Sequence, residues 1–364
     1  MTHSIAKIAS ALGAEVWGDG SLTVDRPAEP QNAGAGDLAL AMSPAYGDAL
    51  RQGKARAAVL WSGADPVEFG LEAAIFAPRA RLAMARLTSM LDTPPGASGI
   101  HSSAFVDPKA TLGANVTVGP FAVVEAGARL ADGVWLGPHV SVAAGSEIGA
   151  GSNLHAGVRI QRNVRIGARV ILQPNVVIGG DGFSFVTAET SNAERARSSL
   201  GEAPLEPPED STWYRIHSLG GAWIGDDVEI GANSCIDAGT IRPTRVGSGT
   251  KIDNLVQVGH NVIIGRDCLL CGASAVAGSS VIGDRVVLGG QSGVSDNLKI
   301  GDDVVIGAAS AVLSNVPARR IVMGYPATGM GAFFASYKGL RRLPRLMTRM
   351  QSGNKAVSKS GRND

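Results

Sequence analysis

The chain has 364 residues, of which 45% are apolar and 18% charged, and its formal net charge is +1. This length and apolar content suffice for a large core and for two or three domains. No run of about 18 apolar residues predicts a membrane span and glycine follows no three-residue period, so we expect a cytoplasmic protein that is not collagen-like.

Residues 1–98 are predicted to form a separate α/β domain. A strand is expected over 57–61, a helix over 79–91, and a linker at the Thr-Pro-Pro-Gly sequence of 93–96. An earlier helix is indicated by apolar residues at helical spacing that are followed by a glycine stop: Ile5, Ile8, Ala9, Leu12 and Gly13.

From residue 100 onward, an Ile, Val or Leu recurs at every sixth position. The repeat fills 29 positions in three blocks, at 100–178, 224–236 and 246–312. Residues six positions apart would point in different directions around an α-helix. In a coil whose flat sides are six residues long, they all take the same inward position. Three hexads per turn predict nine or ten coils spaced about 4.8 Å apart. Glycines that directly follow the aliphatic residue, such as Gly113 and Gly149, are expected to turn sharp corners.

Two interruptions divide this coil, which we assign to residues 99–316. A polar insertion at about 180–222 is predicted to leave the coil as a loop. Four extra residues within 237–245 shift the phase of the repeat. The pair Cys268 and Cys271 has no second pair with which to bind structural zinc, and Cys268 occupies an inward slot, so we expect a reduced thiol and no metal.

The segment 317–364 is basic and predicted to be helical. It contains ten Lys or Arg residues and one acidic residue, Asp364. Pro344 predicts a kink or a break into two helices, with Leu340, Leu343 and Leu346 packing the segment down. Because aromatic residues are few, an acidic protein partner is favoured over nucleic acid, and a merely solvated tail remains an alternative.

His260 is the strongest candidate for chemistry among the six histidines. It lies two residues after the inward Val258, so its side chain is expected to project outward. Asp253, seven residues earlier, is expected to flank the imidazole, and Gly278, one full turn later, to stack above it with a free N–H. A surface histidine in a polar ladder remains the alternative.

Four segments together resemble the UDP-3-O-acylglucosamine N-acyltransferase family: IGGDGFSF at 178–185, IGDDVEIGAN at 224–233, KIDNLVQVGHN at 251–261 and GGQSGV at 289–294. Weaker matches are LGAE at 12–15, GDG at 18–20 and GYPA at 324–327. The resemblance implies a mainly β fold, a left-handed parallel β-helix of hexapeptide repeats, and a homotrimer with active sites between neighbouring prisms. No cofactor is implied.

The same resemblance implies transfer of a (3R)-3-hydroxyacyl chain from acyl carrier protein to the 2-amine of UDP-3-O-(3-hydroxyacyl)-glucosamine. His260 would be the general base, Asp253 would orient the amine and the imidazole, and the Gly278 N–H would bind the oxyanion. The expected substrate-binding residues are Tyr46, Leu40, Ser43, Asn254, Asn261 and Asn297. The basic cluster Arg341, Arg342, Arg345 and Arg349 is expected to bind the acidic acyl carrier protein.

Three of these positions depart from the family pattern. Leu40 and Ser43 stand where the family has an aromatic residue and an asparagine, and Asn297 stands where it has a second histidine. Two other functions stay open: 3-O-acylation of UDP-N-acetylglucosamine and a non-catalytic scaffold. The O-acyltransferases begin their hexads almost at the N-terminus, whereas about 98 residues precede them here. A zinc site of the gamma-type carbonic anhydrase kind is disfavoured because no histidines have ligand spacing.

Overall fold

The computed structural model describes residues 2–93, 99–199, 202, 204–324 and 327–359, without the side chains of residue 197 and of residues beyond 350. Most of the predicted linker at 93–96, Tyr325 and Pro326 of the GYPA motif, and Asp364 lie outside the described residues. The chain divides into two compact units, Met1–Gly96 and Ala97–Asp364.

The first unit is an α/β fold. Its helices are α1 (Ile5–Leu12), α2 (Gly47–Gln52) and α3 (Ala80–Leu91), with 3₁₀ turns at Pro30–Asn32, Pro44–Tyr46 and Pro66–Phe69. His3–Ser4 pairs with Thr23–Val24. A five-stranded sheet within the described residues runs in the order Glu15–Gly18, Ala73–Phe76, Ala57–Leu60, Asp37–Ala41, Arg26–Ala28, and only its first pair is antiparallel.

Helix α1 forms as its sequence predicts. The Ser4 hydroxyl accepts a hydrogen bond from the Lys7 N–H at 3.3 Å and caps the first turn. Gly13 ends the helix with φ of 63°, in the left-handed conformation that glycine adopts without strain. The predicted apolar face is buried in the core of the unit.

The second unit contains a parallel β-helix with three faces. The described strands of each face pair in parallel with strands one coil above and below. The nine-strand face contains Thr111–Leu112, Arg129–Leu130, Glu147–Ile148, Arg165–Ile166, Ala222–Ile224, Thr244–Val246, Ile263–Ile264, Val281–Ile282 and Lys299–Ile300. The eleven-strand face contains Gly99–Ile100, Thr117–Val118, Trp135–Leu136, Asn153–Leu154, Ile171–Leu172, Glu229–Ile230, Lys251–Ile252, Leu269–Leu270, Val287–Leu288, Val305–Ile306 and Ile321–Val322. The ten-strand face contains Phe105–Val106, Val123–Val124, Ser141–Val142, Arg159–Ile160, Val177–Gly180, Cys235–Asp237, Gln257–Val258, Ala275–Val276, Gly293–Val294 and Ala311–Val312.

Each of the 29 predicted aliphatic positions lies in a strand and all but Ile178 and Ile236 end it, and most of them are buried in one continuous core. Residues 18 positions apart stack in register, as Leu112, Leu130 and Ile148 do. One further strand, Ile321–Val322, pairs with Val305–Ile306. The six-residue spacing is not kept after Val312, so the repeat does not predict this strand. Because of this strand, the β-helix extends beyond the expected boundary at residue 316.

The glycines that follow the aliphatic residues serve a different purpose from the one predicted. Positive φ occurs two residues further on, at Asn115 (56°) after Gly113 and at Phe121 (59°) after Gly119, for example. A Cβ on Gly119 would lie 2.8 Å from the carbonyl carbon of Gly137 in the next coil. Glycine at this position therefore permits close stacking of the coils and is not the residue that turns the corner.

The insertion leaves the β-helix after Val177–Gly180 and returns at Ala222–Ile224. It contains a small ribbon, Phe185–Val186 with Tyr214–Arg215, and helix α4 (Asn192–Ser199). Ser191 and Glu194 cap α4 reciprocally: the Ser191 N–H donates to the Glu194 carboxylate at 2.8 Å, and the Glu194 N–H donates to the Ser191 hydroxyl at 3.2 Å.

Helix α5 (Met330–Lys359) passes through Pro344 without ending, so of the two predicted outcomes, a kink or a break, the break is wrong. The helix continues because proline removes one backbone donor, while the turns on either side keep theirs. The prediction that its leucines pack the segment down is also wrong, since Leu340, Leu343 and Leu346 are 65%, 48% and 50% exposed. None of the described helices is long and apolar enough to cross a membrane.

Candidate active site

His260 lies at the edge where the ten-strand face meets the nine-strand face. It follows the strand Gln257–Val258 and precedes Ile263–Ile264. Its side chain lines a cleft of about 690 Å³ whose walls come from three consecutive stretches of the β-helix and from the insertion. The lining residues are Phe183, Ser184, Phe185, Ser191, Ala193, Glu194, Trp213, His260, Ala277, Gly278, Ser279, Asp296 and Asn297.

The imidazole of His260 is oriented by its neighbour in the chain. Its Nδ1 lies 2.9 Å from the amide oxygen of Asn261. An amide oxygen only accepts hydrogen bonds, so this contact places the proton on Nδ1 and leaves the lone pair on Nε2. That is the arrangement a general base requires. Asn261 itself, expected to contact substrate, is buried.

Gly278 stacks on His260 as predicted. The Ser279 N–H donates to the carbonyl of His260 at 2.9 Å, and a Cβ on Gly278 would lie 2.8 Å from both Cε1 and Nε2 of the imidazole. Gly182 covers another side, where a Cβ would lie 2.6 Å from the Cβ of His260. Within the described residues the Gly278 N–H donates no hydrogen bond, so it can donate to a ligand in the cleft.

Asp253 does not flank His260 within one chain, contrary to our expectation. It follows Ile252 at the other edge of the ten-strand face, because seven residues carry the chain across a whole side. Its carboxylate accepts from the N–H groups of Gly272 at 2.9 Å and Asn254 at 2.7 Å. The side-chain oxygen of Asn254 accepts from the Ala232 N–H at 2.7 Å. Within one chain, Asp253 and Asn254 therefore connect their coil to the coils on either side of it.

Asp237 has a carboxylate that interacts electrostatically with His260 within the chain. It lies one coil below, and its Oδ1 accepts a hydrogen bond from Gln257 Nε2 at 3.0 Å. Burial raises the pKa of Asp237 to about 6, against the opposing effects of that hydrogen bond and of attraction by His260. Asp237 was not among the residues predicted from the sequence, although it immediately precedes the break in the repeat.

One wall of the cleft is aromatic. The rings of Phe183 and Phe185 meet edge to face at a centroid distance of 5.1 Å, and Trp213 lies beside them. On the opposite side Asn297 lines the cleft, and its Nδ2 donates to Asp296 Oδ2 at 3.1 Å. An apolar wall that can hold an acyl chain, next to a base and an N–H donor, is the combination that acyl transfer needs.

Known proteins identify the family. A protein of Ruegeria pomeroyi named UDP-3-O-acylglucosamine N-acyltransferase is 56% identical over 362 residues, which cover 99% of each chain. The chain belongs to the UDP-3-O-acylglucosamine N-acyltransferase family. A protein of the same name from Syntrophotalea carbinolica is 41% identical over 355 residues, covering 97% of this chain and 96% of that one. No family model matches the chain.

A solved structure supports the fold of this N-acyltransferase family member. Arabidopsis UDP-N-acetylglucosamine acyltransferase aligns with a TM-score of 0.51 and 24% identity, over 70% of this chain and 80% of that chain. The likeness concerns the fold alone and does not favour O-acylation. The predicted fold class, a left-handed parallel β-helix with an α/β domain and a helical segment, is confirmed.

The residues expected to bind uridine in this N-acyltransferase lie in the first unit. Tyr46 ends the turn Pro44–Tyr46, donates its N–H to the Ser43 carbonyl at 3.0 Å and is 48% exposed, which leaves its ring free to stack. Leu40 lies on the strand Asp37–Ala41, partly buried against the core. The four arginines of the predicted carrier site are all exposed on α5.

Cys268 occupies the inward slot that the repeat predicts and is 2% exposed. Its Sγ donates to the Gly283 carbonyl at 3.1 Å, and burial raises the pKa of the thiol. A buried, protonated thiol is a poor nucleophile, so its place is in the core. Among the described residues, no group of three His, Cys, Asp or Glu is arranged to hold a metal ion.

Proposed function

We propose that the chain transfers a (3R)-3-hydroxyacyl group from acyl carrier protein to the 2-amine of UDP-3-O-(3-hydroxyacyl)-glucosamine. The observation that carries this proposal is 56% identity over 99% of the chain to a protein named for that N-acyl transfer. The cleft beside His260 supports it, because it combines an oriented base, a free N–H and an aromatic wall.

In the proposed reaction the substrate ammonium group first loses one proton to water, and His260 Nε2 takes a second proton from the nitrogen as it attacks. The nitrogen attacks the thioester carbonyl carbon, and the negative charge that develops on the carbonyl oxygen is stabilised by the Gly278 N–H. The C–S bond then breaks, the carrier thiol leaves with the proton that His260 holds, and an amide remains. No covalent enzyme intermediate and no cofactor are required.

We propose that the active protein is a homotrimer with each cleft between adjacent prisms. Asp253 and His260 lie at opposite edges of one face, so neither edge carries both residues. Cyclic assembly would bring the Asp253 edge of one subunit towards the His260 edge of the next. Asp253 and Asn254 would then bind the substrate amine across the interface, with Asn297 contributing from the His260 side.

Substrate recognition is divided in this proposal. The exposed ring of Tyr46 would stack on uracil, with Leu40 and Ser43 beside it. The basic cluster on α5 would capture acyl carrier protein, which is small and acidic. The phosphopantetheine arm and its acyl chain would enter the cleft along Phe183, Phe185 and Trp213.

The test supplies purified protein with (3R)-3-hydroxyacyl carrier protein and one of two acceptors, UDP-3-O-acylglucosamine or UDP-N-acetylglucosamine. We expect an amide product with the first and none with the second. His260→Gln should lower kcat at least about a hundredfold, the usual contribution of a positioned base, whereas the exposed His139→Gln should not. An ester product would establish the O-acyltransferase, and no product with either acceptor would favour a scaffold.

A further inference from the structure

The four extra residues that break the hexad lie against Asn261, the residue that follows His260 in the chain. They belong to a segment that we call the bracing loop, residues 239–245. A regular β-helix does not need this loop, and Cys235–Asp237 still pairs in register with Gln257–Val258, the next strand of its face, which lies beyond the loop. The loop therefore has a purpose other than closing the coil.

The bracing loop surrounds Asn261, the residue that orients His260. The Asn261 side-chain oxygen accepts from the N–H of Thr240 at 3.2 Å and from its hydroxyl at 2.9 Å. The Asn261 backbone N–H donates to the Thr244 hydroxyl at 2.9 Å, and Arg242 Nη2 donates to the Asn261 carbonyl at 3.1 Å. Asn261 is 9% exposed and Thr244 is fully buried, so water competes little for these groups.

Two backbone groups of the bracing loop identify which end of the Asn261 amide is the oxygen, and the Thr240 hydroxyl makes the shorter of its two hydrogen bonds from Thr240, at 2.9 Å. The Thr240 N–H can only donate, so the side-chain atom that it meets is the oxygen. The Arg242 carbonyl can only accept, and it lies 3.4 Å from the amide nitrogen of Asn261. A flipped amide would place donor against donor at Thr240 and acceptor against acceptor at Arg242.

The bracing loop is itself anchored to the end of the insertion. Leu219 and Gly220 donate their N–H groups to the carbonyls of Thr240 and Gly239, each at 2.8 Å. The Gly239 N–H in turn donates to the Gly221 carbonyl at 2.9 Å. The loop is thus held by the backbone on one side and holds Asn261 on the other.

We propose that the bracing loop, through Thr240 and Asn261, keeps His260 in the tautomer that carries its proton on Nδ1. The Nε2 lone pair then remains available beside Gly278. Thr240 and Asn261 are positioning residues, which act through His260 and contact no reacting atom. The inference rests on the proposed function, in which His260 is the base.

The first test compares Thr240→Val, which removes the hydroxyl at constant shape, with Thr240→Ser, which restores it. We expect Thr240→Val to lower kcat about tenfold with an unchanged KM for the UDP-sugar, and Thr240→Ser to be close to wild type. Thr250→Val is the control: the hydroxyl of Thr250 likewise makes hydrogen bonds, to Gly265 and Cys268, but it does not contact Asn261.

The second test reads the tautomer without any turnover. In ¹⁵N-histidine-labelled protein, the His260 signals are assigned by their loss in His260→Gln. We expect a protonated Nδ1 and a bare Nε2 in the wild type and in Thr250→Val, and a mixture of tautomers in Thr240→Val and Asn261→Ala.

The outcomes separate this inference from the proposed function. An unchanged tautomer and unchanged kcat in both Thr240→Val and Asn261→Ala, with His260→Gln inactive, would overturn the bracing role and leave the function intact. A loss of kcat in Thr250→Val equal to that in Thr240→Val would also overturn it. Full activity of His260→Gln would instead refute the base assignment, whatever the tautomer.

Discussion

At the scale of single residues, the imidazole of His260 is confined by the absence of side chains. Gly182 and Gly278 approach it so closely that a Cβ on either would overlap the ring or its Cβ. The glycines therefore restrict the imidazole by packing, while Asn261 restricts it by a hydrogen bond. Both constraints lower the entropy that the base must lose when it reacts.

The confinement by Gly278 predicts the effect of a single methyl group. Gly278→Ala should lower kcat at least about tenfold, because the new Cβ displaces the imidazole from the position beside the N–H donor. The control is Gly293→Ala, where a Cβ would have no heavy atom within 4 Å. Steady-state kinetics with both variants decides the matter, and wild-type kcat in Gly278→Ala would contradict the proposed geometry.

Asp237 predicts a pH dependence of stability. The pKa of this carboxyl is about 6 when folded, against an ordinary value of 3.8, so the folded chain binds more protons than the unfolded chain between these values. The contribution of Asp237 to the free energy of unfolding is therefore fully present below about pH 4 and is lost as the pH rises from about 4 to 6. The variant Asp237→Asn has no carboxyl to ionise, so its free energy of unfolding should exceed that of the wild type by up to about 3 kcal/mol at pH 8. This difference should vanish near pH 4. Unfolding curves at both pH values measure this, and an advantage that is equal at both would refute it.

At the scale of elements, the sequence predicted the β-helix well because every inward position carries the same kind of residue at a fixed spacing. It failed where contacts cross that spacing. Thr240 contacts Asn261, 21 residues later in the chain, only because the bracing loop departs from the six-residue period. Nothing local to Asp237 reveals its burial beside His260, and the passage of α5 through Pro344 depends on turns on both sides of the proline.

The charge on α5 predicts how the carrier binds. Changing Arg341, Arg342, Arg345 and Arg349 to Ser should raise KM for the acyl carrier protein thioester and flatten its salt dependence, because the Debye length is about 10 Å at 0.1 M salt. KM for the UDP-sugar should not change. The control changes four exposed arginines of the β-helix, Arg129, Arg165, Arg245 and Arg266, to Ser. Equal salt sensitivity in cluster variant and wild type would show that α5 is only a solvated end.

At the scale of the whole molecule, Asp253 and His260 occupy two edges of one face, so assembly decides whether they meet. A homotrimer with interfacial sites predicts complementation between two inactive variants. When Asp253→Asn and His260→Gln chains are mixed equally and allowed to assemble together, about a quarter of the interfaces should pair an intact His260 with an intact Asp253. The mixture should therefore recover about a quarter of wild-type activity. No recovery in verified mixed trimers would place both residues in a single-chain site.

The stacking of residues 18 positions apart also sets the step by which such a protein can change its length. Removing one complete coil, for example residues 131–148, would shorten the prism and leave each later side chain on its original edge. Removing six residues between the insertion and His260 would instead rotate everything above the cut by one face and carry His260 away from the edge that the insertion covers. The length of the β-helix can therefore vary in whole coils while His260 stays on the same edge of the prism.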